Sequence, residues 1–282
     1  MKCILIIFAI VPLFCFANDT ERKYTASTPA GAVVRNFLGI PLTDSVDFIR
    51  WKLTIDDNRY NLDCNYGIGK PNTNGFFNGG KTISQGGAIK KDNNYYQLTN
   101  GNKVLKLLEL NGNLLHLLND NNEMLIGNGG WSYTLNNIHP SDTNELNSAA
   151  KHTPFNDSIT FEGRTPCGVP GVSVGATCYK LKWYLALYSP AKDDAAPHYR
   201  LWGSLTYKEG GKKGTWKIIT TGKNHVLYCL NDNDGKPFIY LLKADENILL
   251  FTDANGKPLT GDEDFSYTLN KTKPHPIGRG SW

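Results

Sequence analysis

The 282-residue sequence has little net charge, few sulfur-containing residues and few long apolar runs. The formal net charge is +4, and no dense run of lysine and arginine is present, which argues against a nucleic-acid partner. Beyond residues 4–16, no apolar run is long enough to span a bilayer, so a transmembrane span is not expected. Long helical periodicity is also missing. These absences leave a folded protein that is not a helix bundle.

The residues that are abundant favour β-structure. The chain contains 14 Tyr, 12 Phe, 6 Trp and 28 Gly, a composition that suits strands joined by many turns. Hydrophobic residues make up 40% and charged residues 20%, as in ordinary globular proteins and unlike disordered chains.

One segment occurs twice. Residues 105–136 and 239–270 align without a gap at an offset of 239 − 105 = 134 residues, with 12 identities in 32 positions. The copies end in the same five residues, Ser-Tyr-Thr-Leu-Asn, at 132–136 and 266–270. A period this long, present twice, predicts two tandem domains of one type rather than a solenoid.

Apolar and polar residues alternate in short runs within each domain. The clearest is residues 49–55, which are followed by a polar turn and a second alternating run at 60–64; this pattern predicts a β-hairpin with one buried face. Residues 114–118 form a continuous apolar run that periodicity alone does not distinguish from a helical turn, although its spacing fits a strand. About eight short strands per domain, with a turn signal every ten residues or so, predict an all-β fold in which each domain is an antiparallel sandwich or barrel.

The domain boundaries follow from the repeat and from polar segments. We expect a signal peptide at 1–17, a loose polar leader at 18–32, the first barrel at 33–138, a linker at 139–157, the second barrel at 158–272 and a tail at 273–282. The repeated Tyr133, Leu135, Tyr267 and Leu269 are predicted to face inward. The repeated block is therefore interpreted as scaffold, and function is expected in the divergent segments 40–47 and 167–178.

The first 17 residues resemble an export signal. Lys2 precedes an apolar core at 4–16, and residues 15–17 provide small residues for cleavage after Ala17. An exported protein, periplasmic or secreted, is the preferred interpretation. The alternative is a lipid-anchored envelope protein modified at Cys15, which the large Phe14 before the cysteine disfavours.

Four cysteines remain after removal of the signal. Cys167 and Cys178 lie in one loop-like segment and are the natural candidates for a disulfide in an exported chain. Cys64 and Cys229 lie in different domains within strand-like runs and are as well explained as buried free thiols. Their pairing stays open, because four cysteines allow three pairings.

No motif in the chain provides strong support for catalysis or metal binding. His198 and His225 are weak candidates for metal ligands, but surface histidines are the simpler interpretation because no ligand spacing accompanies them. Residues 171–175 match the nucleophile elbow around Ser173, although the strand–helix context that the motif requires is missing. No enzymatic activity and no cofactor are therefore expected. Two acidic segments, 232–235 and 262–264, are interpreted as a hairpin turn and a solvated loop edge.

The tryptophans bear on whether a barrel holds a ligand. Trp183, Trp202 and Trp216 belong to the strands of the second domain. Small barrels either fill their interior with side chains or enclose one apolar ligand. A packed core is the preferred interpretation, with a ligand cup as the alternative.

The second domain begins with F-x-G-x-x-P-C, carried by Phe161, Gly163, Pro166 and Cys167, and continues with G-T-W-x-I, N-I-L-L-F-x-D-x-x-G-K-P-L and Y-T-L. In these motifs and their order it resembles the N-terminal domain of the copper-resistance lipoprotein NlpE, and more closely the exported NlpE-like proteins of Bacteroidetes. The resemblance covers about residues 158–271 and reaches the first domain only through the internal repeat. The chain departs from the family by lacking the second cysteine of a Cys-x-x-Cys pair.

The resemblance implies a lipocalin-like, partly open β-barrel at the cell envelope, and with the repeat it predicts two tandem lipocalin-like antiparallel barrels. Together with the residues, it predicts an exported, non-enzymatic binding protein with a small apolar ligand or an envelope protein as partner. The alternative is a copper-homeostasis or envelope-stress sensing role, for which copper is implied by the family alone.

Overall fold

The computed structural model describes residues 21–142, 146–147, 150–175, 177–190, 196–204, 211–220 and 225–275. The predicted signal peptide, with Cys3 and Cys15, lies outside the described residues. In the part described, no helix is long and apolar enough to cross a membrane. The fold is almost entirely β, with two closed antiparallel barrels of eight strands each, which confirms the predicted fold class.

The first barrel is built from neighbouring strands that also follow one another along the chain, and β8 closes it against β1. Its elements are β1 (Arg22–Pro29), α1 (Ala32–Leu38), β2 (Phe48–Asp56), β3 (Arg59–Gly67), a 3-10 turn (Phe77–Gly79), β4 (Lys81–Asp92), β5 (Tyr95–Asn100), β6 (Lys103–Asn111), β7 (Leu114–Leu118) and β8 (Thr134–Asn137).

The second barrel repeats this order without a helix among its described elements, and β16 closes it against β9. Its strands are β9 (Ser158–Thr165), β10 (Leu181–Tyr188), β11 (His198–Gly203), β12 (Lys212–Thr220), β13 (Val226–Asn231), β14 (Pro237–Lys243), β15 (Ile248–Thr252) and β16 (Thr268–Thr272).

The prediction of a loose leader over 18–32 is wrong for most of that segment. Arg22–Pro29 is a full barrel strand that pairs with β2 along its whole length. The polar residues of this strand make it hard to recognise from the sequence. Thr28 points inward and accepts a hydrogen bond from the indole of Trp51 at 2.8 Å, while Thr25 and Ser27 are buried on the opposite face. A strand with both faces buried and polar side chains on each shows no apolar–polar alternation.

Side chains occupy the interior of both barrels. Each interior is a single apolar cluster that includes Tyr133 and Leu135 in the first barrel and Tyr267 and Leu269 in the second, so these four residues face inward as predicted. Trp183 in β10 is equivalent to Trp51 in β2, and its indole donates to Thr165 at 2.8 Å. The same tryptophan–threonine pair therefore braces both barrels.

The segments that follow β1 and β9 close one end of each barrel. The first segment comprises α1 and the predicted divergent residues 40–47, of which Ile40 is buried in the first core. After β1, α1 places Val34, Phe37 and Leu38 in the first core, and it ends at Gly39, whose φ of 74° allows the N–H to cap the last turn. After β9, the loop 167–178 places Val169 in the second core. The structure thus gives both segments a role in sealing the barrels, by a helix in one and by a disulfide-closed loop in the other.

A third apolar cluster joins the two barrels. The outer faces of β6 and β7 pack against the outer faces of β14 and β15, which are the equivalent strands of the second barrel. The cluster contains Leu108, Leu110, Leu114, Leu118, Met124, Leu146, Leu227, Leu242, Ala244, Ile248 and Leu250. This packing explains the continuous apolar run at 114–118. That run is strand β7, with one face in its own barrel and the other against the second barrel.

Candidate functional site: the seam between the barrels

The seam is the line along which the two barrels meet, and the repeated Ser-Tyr-Thr-Leu-Asn segments lie at its centre. Their tyrosines and leucines face inward, so the intervening serines, threonines and asparagines face the other barrel. The hydroxyl groups of Ser132 and Ser266 are 2.5 Å apart. Thr268 donates to Thr134 at 3.1 Å. Equivalent residues therefore meet one another, as in an interface with two-fold symmetry.

Asparagine side chains extend this symmetry on both sides of the centre. Asn136 accepts a hydrogen bond from Gly261 N–H and donates to the carbonyl of Asp262, each at 2.9 Å. Asn270 accepts from Gly127 N–H at 2.8 Å, and Gly127 is the equivalent of Gly261. A Cβ on either glycine would lie 3.0 Å or less from the asparagine oxygen that it faces. Each barrel thus holds a loop of the other through its last strand.

The charged loop 262–264 belongs to this interface, so its interpretation as a solvated edge is wrong for Asp264, whereas Asp262 and Glu263 are exposed. Arg50 Nη2 lies 2.5 Å from Asp264 Oδ1, and Asn74 donates to the other carboxylate oxygen. Ser27 donates to the carbonyl of Glu263 at 3.1 Å. The sequence gives no sign of the contacts of Asp264, because Arg50 and Asn74 lie about 200 positions away and in the other barrel.

A groove of about 580 Å³ opens beside these contacts; we call it the seam groove. Its floor is the outer face of β1 and β2, with Lys23, Thr25, Lys52 and Thr54. One wall is the loop Thr260–Glu263 of the second barrel, and the other is formed by Asn137, Ile138 and Pro140. The volume lies within the range of about 300–1,000 Å³ that is typical of small-molecule sites.

Charges of both signs line the seam groove. Lys52 and Asp63 are a directly opposed cross-strand pair on β2 and β3, and Asp262 and Glu263 stand on the wall. Lys23 pairs with Glu21 at 2.8 Å. Because Lys52, Asp63, Asp262 and Glu263 are exposed, their charges are available to a ligand that carries both an anionic and a cationic group.

The equivalent place on the opposite side of the seam is lined by aromatic side chains. Tyr184 occupies the position of Lys52, and Trp202 that of Asp63, since both pairs face each other across the same two strands. The ring of His275 packs against Tyr184 with centroids 4.7 Å apart, and its Nε2 lies 3.2 Å from Glu162. Aromatic packing thus covers in the second barrel the surface that is open in the first.

The predicted disulfide is present in the second barrel. Cys167 and Cys178 form a disulfide with a Cα–Cα distance of 6.2 Å. Cys64 and Cys229 are free and buried, each in its own barrel. Burial raises the pKa of both thiols, with a contribution from the neighbouring Asp63 for Cys64. The two thiols are therefore held in the protonated, unreactive form.

The weak metal candidates are not brought together. His198 is exposed at the start of β11 and stacks on Tyr188 with centroids 4.7 Å apart. Its cross-strand neighbour on β12 is Thr215. Thr215 in turn accepts a hydrogen bond from Asn231 at the end of β13. His225 lies six positions before Asn231, or about 20 Å along β13. Within the described ranges, no group of three or more His, Cys, Asp or Glu could hold a metal ion.

The remaining motifs have structural surroundings of their own. Ser173 is exposed in coil inside the disulfide-closed loop, without the strand and helix that a nucleophile elbow requires. Asp232 caps a hairpin turn by accepting from the backbone of Asp234 and Lys236. Trp183 and Trp216 are buried in the second barrel, whereas Trp202 lies on its outer face against Tyr184.

The four motif residues at the start of the second barrel shape its first strand. Phe161 is buried in the core, and Pro166 and Cys167 follow β9 into the closing loop, where the carbonyl of Cys167 accepts from Tyr267 at 2.7 Å. Gly163 lies against β16, and a Cβ there would be 2.6 Å from the carbonyl of Thr268. These residues therefore serve closure of the barrel.

One signal in the sequence could have revealed the seam. The repeat retains its polar residues at alternate positions, 132, 134 and 136 and their copies, as strictly as its apolar ones. Solvent-exposed strand positions rarely need such identity, so the polar half of the repeat indicates a second buried face.

Comparisons with known protein families, with curated proteins and with solved structures found no match.

Proposed function

We propose that this chain is a non-enzymatic binding protein, exported to the cell envelope or secreted, that takes its ligand in the seam groove. The observation that carries the proposal is a groove of about 580 Å³ that both barrels line. The barrel interiors are filled by the side chains of the two cores, so the closed barrels act as a rigid support for a site on their outer surfaces.

The groove favours a small ligand with an apolar body and both signs of charge. Ile138 is 47% exposed at its edge and provides an apolar contact beside Pro140. Lys52 can bind a carboxylate, and Asp262 with Glu263 can bind an ammonium group. Amino acids, short peptides and similar zwitterions fit this description.

Native mass spectrometry of the protein purified from its own host tests the binding site. The wild type should carry a small molecule that is lost in Thr54→Trp, because the new indole would fill the groove floor. Thr82→Trp, at an exposed position of β4, is the matched control and should keep the ligand. Repeatedly empty wild-type protein, or a ligand retained by Thr54→Trp, would show that the groove is not the site.

The export half of the proposal rests on the pattern of residues 1–17 and has its own test. The intact mass of the protein from its host should correspond to a chain that begins at Asn18. A diacylglycerol-modified chain beginning at Cys15 would instead establish the lipid-anchored alternative, and an unprocessed chain would overturn export. The copper-homeostasis or stress-sensing alternative rests on the resemblance to NlpE alone.

A further inference from the structure

The seam contains one carboxylate that is bound tightly by groups of the other barrel. Asp264, on a loop of the second barrel, accepts from Arg50 Nη2 at 2.5 Å and from the side-chain amide of Asn74. The same Nη2 also donates to the carbonyl of Asn74 at 2.7 Å. This arrangement is a complete carboxylate site whose occupant is a side chain of the protein itself.

The two-fold symmetry of the seam places a second such site on the other side. Asp264 corresponds to Gly130 through the repeat offset (264 − 134 = 130). Arg50 precedes Trp51 as Lys182 precedes the equivalent Trp183, so Lys182 takes the place of Arg50. Glycine at position 130 therefore provides no carboxylate, whereas the cation that would face such a carboxylate, Lys182, is present.

Two further cations surround this position. Arg164 is directly opposite Lys182 across β9 and β10, and Lys180 lies two residues from Lys182 on the same face of the chain. Like charges directly opposed in a sheet repel one another. Burial, together with these neighbouring cations, lowers the pKa of both Lys180 and Lys182. The cluster Arg164–Lys180–Lys182 is thus an unfavourable arrangement that an anion would relieve.

The partners of the cluster do not neutralise it. Across the described residues, none of the three side chains forms an ion pair within 4.0 Å, whereas Arg50 does. Arg164 lies over the ring of Trp131 at 5.7 Å, and Lys180 over that of Phe265 at 5.4 Å. Glu162 and Asp264 lie close enough to oppose the lowering of the pKa of Arg164 and Lys180, respectively. Both carboxylates already have other partners, since Glu162 lies 3.2 Å from His275 Nε2 and Asp264 is bound by Arg50.

The position of Gly130 shows where an anion would sit. A Cβ built on Gly130 would lie 3.1 Å from Asn128 Oδ1, which must move by a few tenths of an ångström, and 3.6 Å from Arg164 Nη1. A carboxylate one bond further would therefore reach the guanidinium. The backbone already has the required form. Asn128 accepts from the N–H groups of Gly130 and Trp131, just as Asp262 accepts from those of Asp264 and Phe265.

We propose that the cluster Arg164–Lys180–Lys182 binds the carboxylate group of an external ligand, at the place that Asp264 fills on the opposite side of the seam. Acidic peptides and free dicarboxylic acids share this chemistry, and the test separates them. The inference does not rest on the seam groove, since it concerns the second barrel and the other side of the interface.

Isothermal titration calorimetry of the full chain at low ionic strength provides the test. The probes are hexaglutamate, hexaglutamine and glutarate. Binding of hexaglutamate alone would assign the site to acidic peptides, and binding of glutarate with comparable strength per carboxylate would assign it to free acids. Hexaglutamine should not bind. Failure of both acidic probes to bind at about 10 mM would overturn the proposal, because a single charge-assisted contact already gives affinities near this range.

Two variants, each with one glycine replaced by aspartate, make the test specific because they change the net charge of the protein equally. Gly130→Asp supplies the carboxylate from within the chain; it should weaken probe binding by at least about tenfold and raise the thermal midpoint by about 2–4 °C. Gly175→Asp, where a Cβ would meet nothing within 4 Å, should change neither. Equal probe binding by wild type and Gly130→Asp would disprove the site. A thermal midpoint at or above that of the wild type would show that the Gly130→Asp variant is folded.

Discussion

The side-chain oxygens of Ser132 and Ser266 lie 2.5 Å apart, although the two residues occupy the same position in the two copies of one segment. Only residues near a rotation axis can meet their own equivalents, so the barrels are docked as the subunits of an isologous dimer are. The repeat therefore has two roles. Its apolar half closes each barrel, and its polar half joins the barrels to each other.

The first prediction concerns the asparagines of the seam. Asn136→Ala should lower the free energy of unfolding by about 2 kcal/mol, because it removes the hydrogen bonds at 2.9 Å to the N–H of Gly261 and the carbonyl of Asp262, together with a longer one at 3.5 Å to the carbonyl of Phe265. Asn270→Ala, which removes one such bond, should cost about 1 kcal/mol. Urea denaturation followed by tryptophan fluorescence measures both.

The exposed Asn102→Ala is the control for these variants and should unfold like the wild type. If Asn136→Ala were as stable as Asn102→Ala, the hydrogen bonds across the seam would contribute nothing to stability, and the two barrels would be held by the apolar cluster alone.

The second prediction concerns the pH dependence caused by His116. This residue is fully buried, with its ring nitrogens 2.9 Å from Thr134 Oγ1 and from the carbonyl of Leu125. Burial lowers its pKa from 6.5 to about 4, although the bond to Leu125 opposes the shift. Between pH 6.5 and pH 4, His116 is protonated in the unfolded chain but stays neutral in the native chain. The stabilising contribution is therefore complete above pH 6.5 and is lost as the pH falls towards 4.

The size of the effect is about 3 kcal/mol for a shift of this magnitude. The second copy of the repeat has Leu250 in the place of His116, so His116→Leu is a substitution that this fold already accommodates. As the pH falls from 7 to 4, the unfolding free energy of the wild type should decrease relative to that of His116→Leu. Asn102→Ala, at an exposed site without a titratable side chain, is the control and should show no such change. A pH-independent difference for His116→Leu would contradict the burial of a neutral imidazole.

Strands with one buried and one wet face were predictable from alternation, and the fully buried run 114–118 was predictable from its length and flanking turns, but Arg22–Pro29 was not. Residues 49–64 show clean alternation and form the expected hairpin. Arg22–Pro29 does not, because Thr28 serves Trp51 inside the barrel while Thr25 and Ser27 lie at the seam. The repeat predicted two barrels, but their mutual docking depends on contacts such as Arg50–Asp264, which span 214 positions and leave no local pattern in the sequence.

The third prediction concerns the disulfide Cys167–Cys178. It closes a loop with a sequence separation of 11 that covers one end of the second barrel, and a loop of this length is stabilised by about 2–3 kcal/mol. The double variant Cys167→Ser/Cys178→Ser should lose about this amount, as measured by urea denaturation. Reducing agent should destabilise the wild type to the same extent and leave the double variant unchanged. Destabilisation of the double variant by reducing agent would instead point to a bridge elsewhere.

The fourth prediction concerns Gly163, where β9 crosses close to β16. In the first barrel the equivalent position holds Ala26, since Ala26 pairs with Trp51 as Gly163 pairs with Trp183. A Cβ on Gly163 would lie 2.6 Å from the carbonyl of Thr268, so β9 and β16 would have to separate. Gly163→Ala should therefore destabilise the protein by about 1–3 kcal/mol, although alanine is otherwise preferred to glycine within a strand.

The sign of this change separates close packing from intrinsic preference. Gly175→Ala, at an exposed site with open space around it, should leave the free energy of unfolding within about 0.5 kcal/mol of the wild type. If Gly163→Ala were neutral or stabilising, the second barrel would close with the same spacing as the first, and the absence of a side chain at Gly163 would have no role in that closure. Loss of stability at Gly163 alone would show that the second barrel closes more tightly than the first.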